Sequence, residues 1–130
     1  MVSEEAIRAT IATYFAANNA LDIEGFVNAF APDAALYNAG EVSPISGREA
    51  VRRVAEQSLL PFRHMNIAIE RLFIVGNGAA AFYTGSMTAQ SGREAHVAGI
   101  DVFEINDNGK IQSIRFYFDP APIMALLQAS

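Results

Sequence analysis

Three features of the sequence predict an α+β fold in which N-terminal helices pack on a strongly curved antiparallel sheet around an internal pocket. Apolar residues in the first half recur at the helical period. The second half breaks into four β-rich segments between glycine and asparagine turns. Those segments are apolar on both faces, so the sheet needs cover on both sides. The chain has 130 residues, 52% of them hydrophobic, and a chain of this length buries roughly two-thirds of its unfolded surface. One domain spanning residues 1–130 is expected, with no internal repeat, linker or low-complexity segment.

The elements follow in order. Ser3 is a candidate N-cap, with Glu4 and Glu5 in the first turn, where the helix dipole favours acids. Ile7, Ile11, Tyr14 and Phe15 then fall on one apolar stripe, and Thr10 packs on that face with its hydroxyl turned to the backbone. A second helix starts near Asp22, buries Phe26, Val27 and Phe30, and ends at Ala31-Pro32-Asp33. Ser46 and Glu49 form a capping-box pattern for a third helix, which buries Val51, Val54 and Leu59 and stops at Pro61. Turn signals at Gly76-Asn77-Gly78, Ser91-Gly92 and Asn106-Asp107-Asn108-Gly109 then divide the rest into four strands of an antiparallel meander. Three helices cover one face of that sheet, and a homodimer is the economical cover for the other. The apolar tail, Ala121 to Leu127, is expected to close the pocket mouth or extend the dimer contact.

Composition excludes several functions. Without cysteine there is no disulfide, thiolate nucleophile or cysteine-ligated metal. A net charge of −5 argues against nucleic acid; Arg48, Arg52, Arg53 and Arg63 are interleaved with Glu49, Glu56 and Glu70 and read as a solvated face. Leu72 to Gly92 carries no charge, yet its Gly76-Asn77-Gly78, Thr84, Ser86 and Thr88 mark two strands rather than a membrane span. The N-terminus has no signal-peptide pattern, so a cytoplasmic location is expected. His64 and His96 are the only histidines and lack local acidic partners, a poor metal-ligand set. Gly76 to Ala81 fits the lax dinucleotide pattern but leads into a strand, not a helix. No nucleophile elbow is present. No cofactor and no metal are expected.

Asp101 is the first candidate for chemistry. It shares strand parity with Val97, Gly99, Phe103 and Ile105, so it lies mid-strand on an apolar face. Such a carboxyl is either paired or driven neutral, and a neutral acid is a hydrogen-bond donor. Tyr14, on the stripe of the first helix, directs its hydroxyl inward; taken alone it reads first as a core tyrosine with a satisfied hydroxyl.

Tyr14, Asn19-Ala20-Leu21-Asp22, Phe30-Ala31-Pro32-Asp33-Ala34, Ser46-Gly47-Arg48-Glu49, Gly99-Ile100-Asp101-Val102-Phe103 and Gly109-Lys110-Ile111-Gln112-Ser113 together resemble the ketosteroid isomerases. More broadly, nearly the whole chain resembles the nuclear-transport-factor-like, or SnoaL-like, cone-shaped α+β barrel. The resemblance implies that Tyr14 and Asp101 are oxyanion-hole donors, one a phenol and one a protonated aspartic acid kept neutral by an apolar site. Where that family carries its general-base aspartate this chain has Asn38, and an amide cannot take a proton from carbon. Thr84 and Ser86 match apolar pocket positions of the family, implying a more polar cavity, with Phe82, Phe103, Phe116 and Phe118 as apolar walls. His64 resembles a histidine of SnoaL-like and scytalone-dehydratase-like relatives and is a candidate replacement base. Asp119 resembles an acid of the closing strand in epoxide hydrolases of this fold, offset so that their pocket position falls on Phe116. Asp119 itself is expected to face outward or cap the tail.

Three functions are compatible with these residues. One is a cofactor-free isomerase, dehydratase or cyclase acting on a small hydrophobic molecule through Tyr14 and Asp101. The second is a binding module that kept the pocket and lost the base. The third is a dimeric interaction subunit using the outer sheet face.

Overall fold

A computed structural model describes residues 2–128. The order of elements is α1 (Glu4–Asn19), α2 (Ile23–Asn28), β1 (Phe30–Tyr37), β2 (Ile45–Ser46), α3 (Arg48–Leu59), β3 (Phe62–Val75), β4 (Gly78–Ala89), β5 (Glu94–Ile105), β6 (Ile111–Phe118) and α4 (Ala121–Gln128). The strands form one curved sheet in the order β2-β1-β6-β5-β4-β3. The expected four-strand meander is β3 to β6, antiparallel throughout. Gly76, at φ 60°, occupies the first central position of the β3–β4 turn, a conformation that residues with a Cβ disfavour. Register shifts at Phe62/His64 and Ile69/Arg71 interrupt the β3–β4 ladder, the kind of irregularity that bends a sheet.

The helices cover the concave face. Ser3 caps α1 by accepting from the Ala6 amide, and Asp22 caps α2 by accepting from the Gly25 amide. Ile7, Ile11, Tyr14 and Phe15 of α1 are buried, as are Val51, Val54 and Leu59 of α3, and all join one core cluster. At the end of α1, Asn19 both donates to the Ile67 carbonyl (2.9 Å) and accepts from the Ile67 amide (2.8 Å). Its side-chain amide thereby satisfies backbone groups on the free edge of β3. Thr10 turns its hydroxyl to the Gly109 carbonyl, at 2.6 Å. Arg52 makes a two-pronged contact with Glu24, pinning the exposed face of α3 to α2.

Two expectations are corrected. The second helix stops at Asn28, and Phe30-Ala31-Pro32-Asp33 opens strand β1 instead of ending the helix. Proline disfavours the helical region for the residue before it and removes an amide donor. The β1–β6 register shift between Phe30 and Ala35 absorbs Pro32, and Asp33 accepts from Gln112 across the sheet. The capping box before α3 is not formed either. Ser46 is paired with Ala35 in β2, and Gly47, at φ 97°, is the cap residue with no side-chain bond.

The tail forms α4, whose Ile123, Met124 and Leu127 line the internal pocket. Asp119 caps it, accepting from the Ala121 amide at 3.0 Å. No helix of the described residues is long and apolar enough to cross a membrane.

Candidate functional site

The concave face encloses a cavity of about 260 Å³, whose walls come from α1, the end of α3, the inner faces of β3 to β6, and α4. Apolar side chains dominate, among them Phe62, Met65, Ile67, Phe116 and Phe118. Polar groups gather at two places. Tyr14, Tyr83 and Asp101 lie on the floor, while Asn18, Gln57 and Ser58 border the cavity from α1 and α3. Among the described residues, no lysine, arginine or histidine lines it.

Asp101 is set into the floor by the sheet register. Its partners across the strands are Ala81 on β4 and Phe116 on β6. Phe103, two residues on along the same face, is sealed in the core. Asp101 is 4% exposed, and its Oδ1 has no hydrogen-bond partner among the described residues. A buried polar atom without a partner is rare enough in folded proteins to require an explanation. Burial pushes the carboxyl up to about 7 from its ordinary value near 3.8, because desolvation penalises the charged form. Near neutrality this group therefore holds substantial populations of both acid and carboxylate.

Two phenols flank it. Tyr14 is 3% exposed and makes edge or tilted ring contacts with Phe15, Phe26, Phe30 and Phe103 at centroid separations of 5.2–5.8 Å. Burial raises its pKa well above the ordinary tyrosine value, and the nearby Asp101 charge raises it further. Tyr83 is half-buried, and burial followed by the Asp101 charge raises its pKa too. Both phenols thus remain hydrogen-bond donors across the physiological range.

The structure brings Tyr14, Asp101, Phe116 and Phe118 together as the sequence implied, and separates the other candidates from them. Asn38 follows β1, is exposed and does not line the cavity. His64 is exposed beside Thr88 on β4 and also lies outside it. Phe82, Thr84 and Ser86 are on the outer face of β4. Phe82 is 38% exposed, and the Thr84 hydroxyl donates to Glu70 there at 2.7 Å. Phe103 packs behind Tyr14 instead of forming a wall. The inner positions of β4 belong to the opposite parity, Tyr83 and Met87. His96 is exposed, and Glu94 stands 3.7 Å away, an acidic neighbour that the sequence reading did not give it.

Residues 11–114, about four-fifths of the chain, match the SnoaL-like domain family. The chain belongs to the SnoaL-like family. Solved structures of the same fold include AclR from Streptomyces galilaeus, a proposed hydroxylase. It matches this SnoaL-like protein with a TM-score of 0.81 and 19% identity over 98% of this chain and 99% of that one. The epoxide hydrolase/cyclase-like enzyme SalBIII, which acts in pyran ring formation in the polyether salinomycin, matches with a TM-score of 0.81 and 22% identity over 94% and 97% of the two chains. An NTF2-like protein of unknown function from Burkholderia pseudomallei K96243 matches with a TM-score of 0.78 and 20% identity over 95% and 98%. At these identities the likeness concerns the fold, and the site of this SnoaL-like domain has to be read from its own residues.

Proposed function

We propose that this SnoaL-like domain binds a small, neutral, largely apolar molecule through an oxygen atom and transforms it by cofactor-independent acid–base chemistry, by isomerisation, dehydration or cyclisation. The observation that carries this reading is the buried Asp101 Oδ1, unpartnered on the floor of an apolar cavity. A ligand oxygen supplies the partner that the protein does not. The lining contributed by the described residues holds no Lys, Arg or His, which selects against phosphate or carboxylate ligands that would face Asp101 without a counter-charge. The cavity of about 260 Å³ sits below the span of roughly 300–1,000 Å³ common for drug-sized ligands, which favours a one- or two-ring skeleton over a steroid. It is small for a flavin or a nicotinamide dinucleotide.

The neutral Asp101 carboxyl donates to a carbonyl, hydroxyl or ether oxygen, and the phenols of Tyr14 and Tyr83 line the same cavity as further donors. Since Asn38 and His64 lie outside the cavity, the group that moves a proton in the second half of the reaction is Asp101 itself, as carboxylate, or a bound water. This differs from the ketosteroid isomerase scheme, which needs a separate carboxylate base. With a single carboxyl in the cavity, a binding module is the second reading.

The test is α-proton exchange into 1-tetralone, a two-ring enolisable ketone, followed by NMR in deuterated buffer at pH 7. The parent is expected to accelerate exchange over buffer, and Asp101→Leu to lose at least about 100-fold of that gain. Tight ketone binding without exchange would establish the binding module instead. Neither binding nor exchange would sink both readings.

We further propose that the outer face of the sheet pairs with a second copy of the chain. Phe73, Phe82, Ile100 and Tyr117 are each 38–57% exposed there. Phe82, Ile100 and Tyr117 are register neighbours across β4, β5 and β6, which makes the apolar patch continuous.

A further inference from the structure

We propose that Tyr83 is the group that shares the ligand's oxygen with Asp101, and that Gly99 is the positioning residue that makes room for its hydroxyl. This inference rests on the reading of Asp101 as an oxygen-binding acid and adds to it a residue that the family resemblance does not assign.

The register supplies the geometry. On the inner face Ala81 pairs with Asp101, and Tyr83 pairs with Gly99. Tyr83 and Asp101 are therefore diagonal neighbours, a relation that long side chains can bridge. Ala81, small and fully buried, places no long side chain directly opposite Asp101. Tyr83 lies across Gly99. A Cβ at position 99 would stand 2.5 Å from the Tyr83 hydroxyl oxygen, 2.8 Å from its Cζ and 2.9 Å from the Phe118 Cβ. Gly99 has no left-handed backbone angle to explain its identity. It is glycine because the phenol of Tyr83 and the Phe118 side chain occupy the space above it from the two flanking strands. The Tyr83 hydroxyl is thus held over the floor about two strand residues, roughly 7 Å, from the Asp101 Cα, while Asp101 Oδ1 remains without a hydrogen-bond partner. Both groups line the cavity, and an acceptor atom placed between the Tyr83 hydroxyl and Asp101 Oδ1 would meet both.

Tyr14 differs in its surroundings. Its ring is enclosed by four phenylalanines, and Asn18, which also donates to its carbonyl, lies beside it. Tyr83 has one ring neighbour, Phe15 at 5.9 Å, and keeps part of its surface open to the cavity. Of the two phenols it is the one a ligand meets first.

The experiment measures the carbonyl stretch and the affinity of 1-tetralone bound at pH 6, where Asp101 is mostly neutral. Hydrogen bonds to the ketone lower its stretching frequency, and a residue acting only as packing does not move it. The parent is expected to shift the stretch downward relative to an apolar solvent. Tyr83→Phe should lose part of that shift and weaken binding about tenfold, the worth of one hydrogen bond. Gly99→Ala should reproduce the Tyr83→Phe result by displacing the phenol, and the double variant should be no worse than either single one. Should Gly99→Ala fail to fold, Tyr83→Phe carries the test alone. If Asp101→Leu loses shift and affinity while Tyr83→Phe keeps both in full, the assignment of Tyr83 is overturned and the Asp101 reading stands. If Asp101→Leu changes neither, or the parent does not bind the ketone, the underlying reading falls and this one with it.

Discussion

Asp101 shows how one residue ties stability to chemistry. Its carboxyl is raised to about 7 in the fold by burial, against about 3.9 in an unfolded chain. Between those values the folded state holds a proton that the unfolded state has released, so stability falls as pH rises through that window. Below about pH 4 the penalty is absent, and above about pH 7 it is complete. A displacement of that size corresponds to about 4 kcal/mol. Urea unfolding of the parent should therefore show a decline from pH 4.5 to pH 8 that Asp101→Asn lacks, with the variant the more stable protein at pH 8. Equal pH slopes for the two proteins would mean that Asp101 is paired or solvated. Asp101 was legible in the sequence because it is a lone acid among apolar residues of its own parity. Tyr83 was not. Both faces of β4 carry apolar or small groups, so alternation alone cannot tell which parity faces inward, and a one-residue choice moves the whole set to the other face. The family resemblance placed Phe82, Thr84 and Ser86 inside; the hydrogen bond from Thr84 to Glu70 and the pairing of Tyr83 with Gly99 put them outside.

At the scale of elements, what the sequence revealed depended on how local the cause was. Helix α1 carries its own cap and stripe, and the β3–β6 meander carries its own turns, so both are visible in short windows. Strand β1 is held by β6, its parallel partner roughly eighty residues further along the chain, and nothing within Phe30 to Tyr37 announces that pairing. Asn19 is another such case. It reads as the polar end of a helix, yet its side chain takes both backbone groups of Ile67 on an edge strand. Asn19→Ala removes both bonds and leaves part-buried backbone groups unpaired, at a cost of about 2 kcal/mol. The loss should be local as well as global. Hydrogen exchange at the Ile67 amide should rise in the variant well beyond the change in overall stability, since that amide would lose its acceptor, the Asn19 Oδ1. A uniform change across the sheet would show that Asn19 acts only through helix packing. Because Ile67 also lines the cavity, the same variant should weaken ketone binding modestly.

For the whole molecule, cavity and outer sheet face are opposite sides of the same strands, and this makes the proposed dimer separable from the proposed chemistry. Ile100 and Asp101 are sequence neighbours, yet one faces outward and the other lies on the cavity floor. Phe73 lies on the outer face with Arg71 stacked over its ring at 5.1 Å. A stable homodimer needs roughly 1,200–2,000 Å² of buried surface with an apolar centre, and a patch running from Phe73 across Phe82 and Ile100 to Tyr117 offers such a centre. Light scattering at micromolar concentration should give a mass of twice the 14.0 kDa chain. Ile100→Glu should reduce it to one chain, because two-fold symmetry brings every added carboxylate into the interface twice. Phe73→Glu should weaken the dimer less, being nearer the rim. Neither substitution touches the cavity, so both variants should keep the parent's affinity for 1-tetralone. A parent that is monomeric at these concentrations would remove the dimer and leave the apolar outer face to another partner. Loss of ketone binding on dissociation would mean instead that pairing of the sheets sets the curvature that holds Asp101 and Tyr83 at the cavity floor.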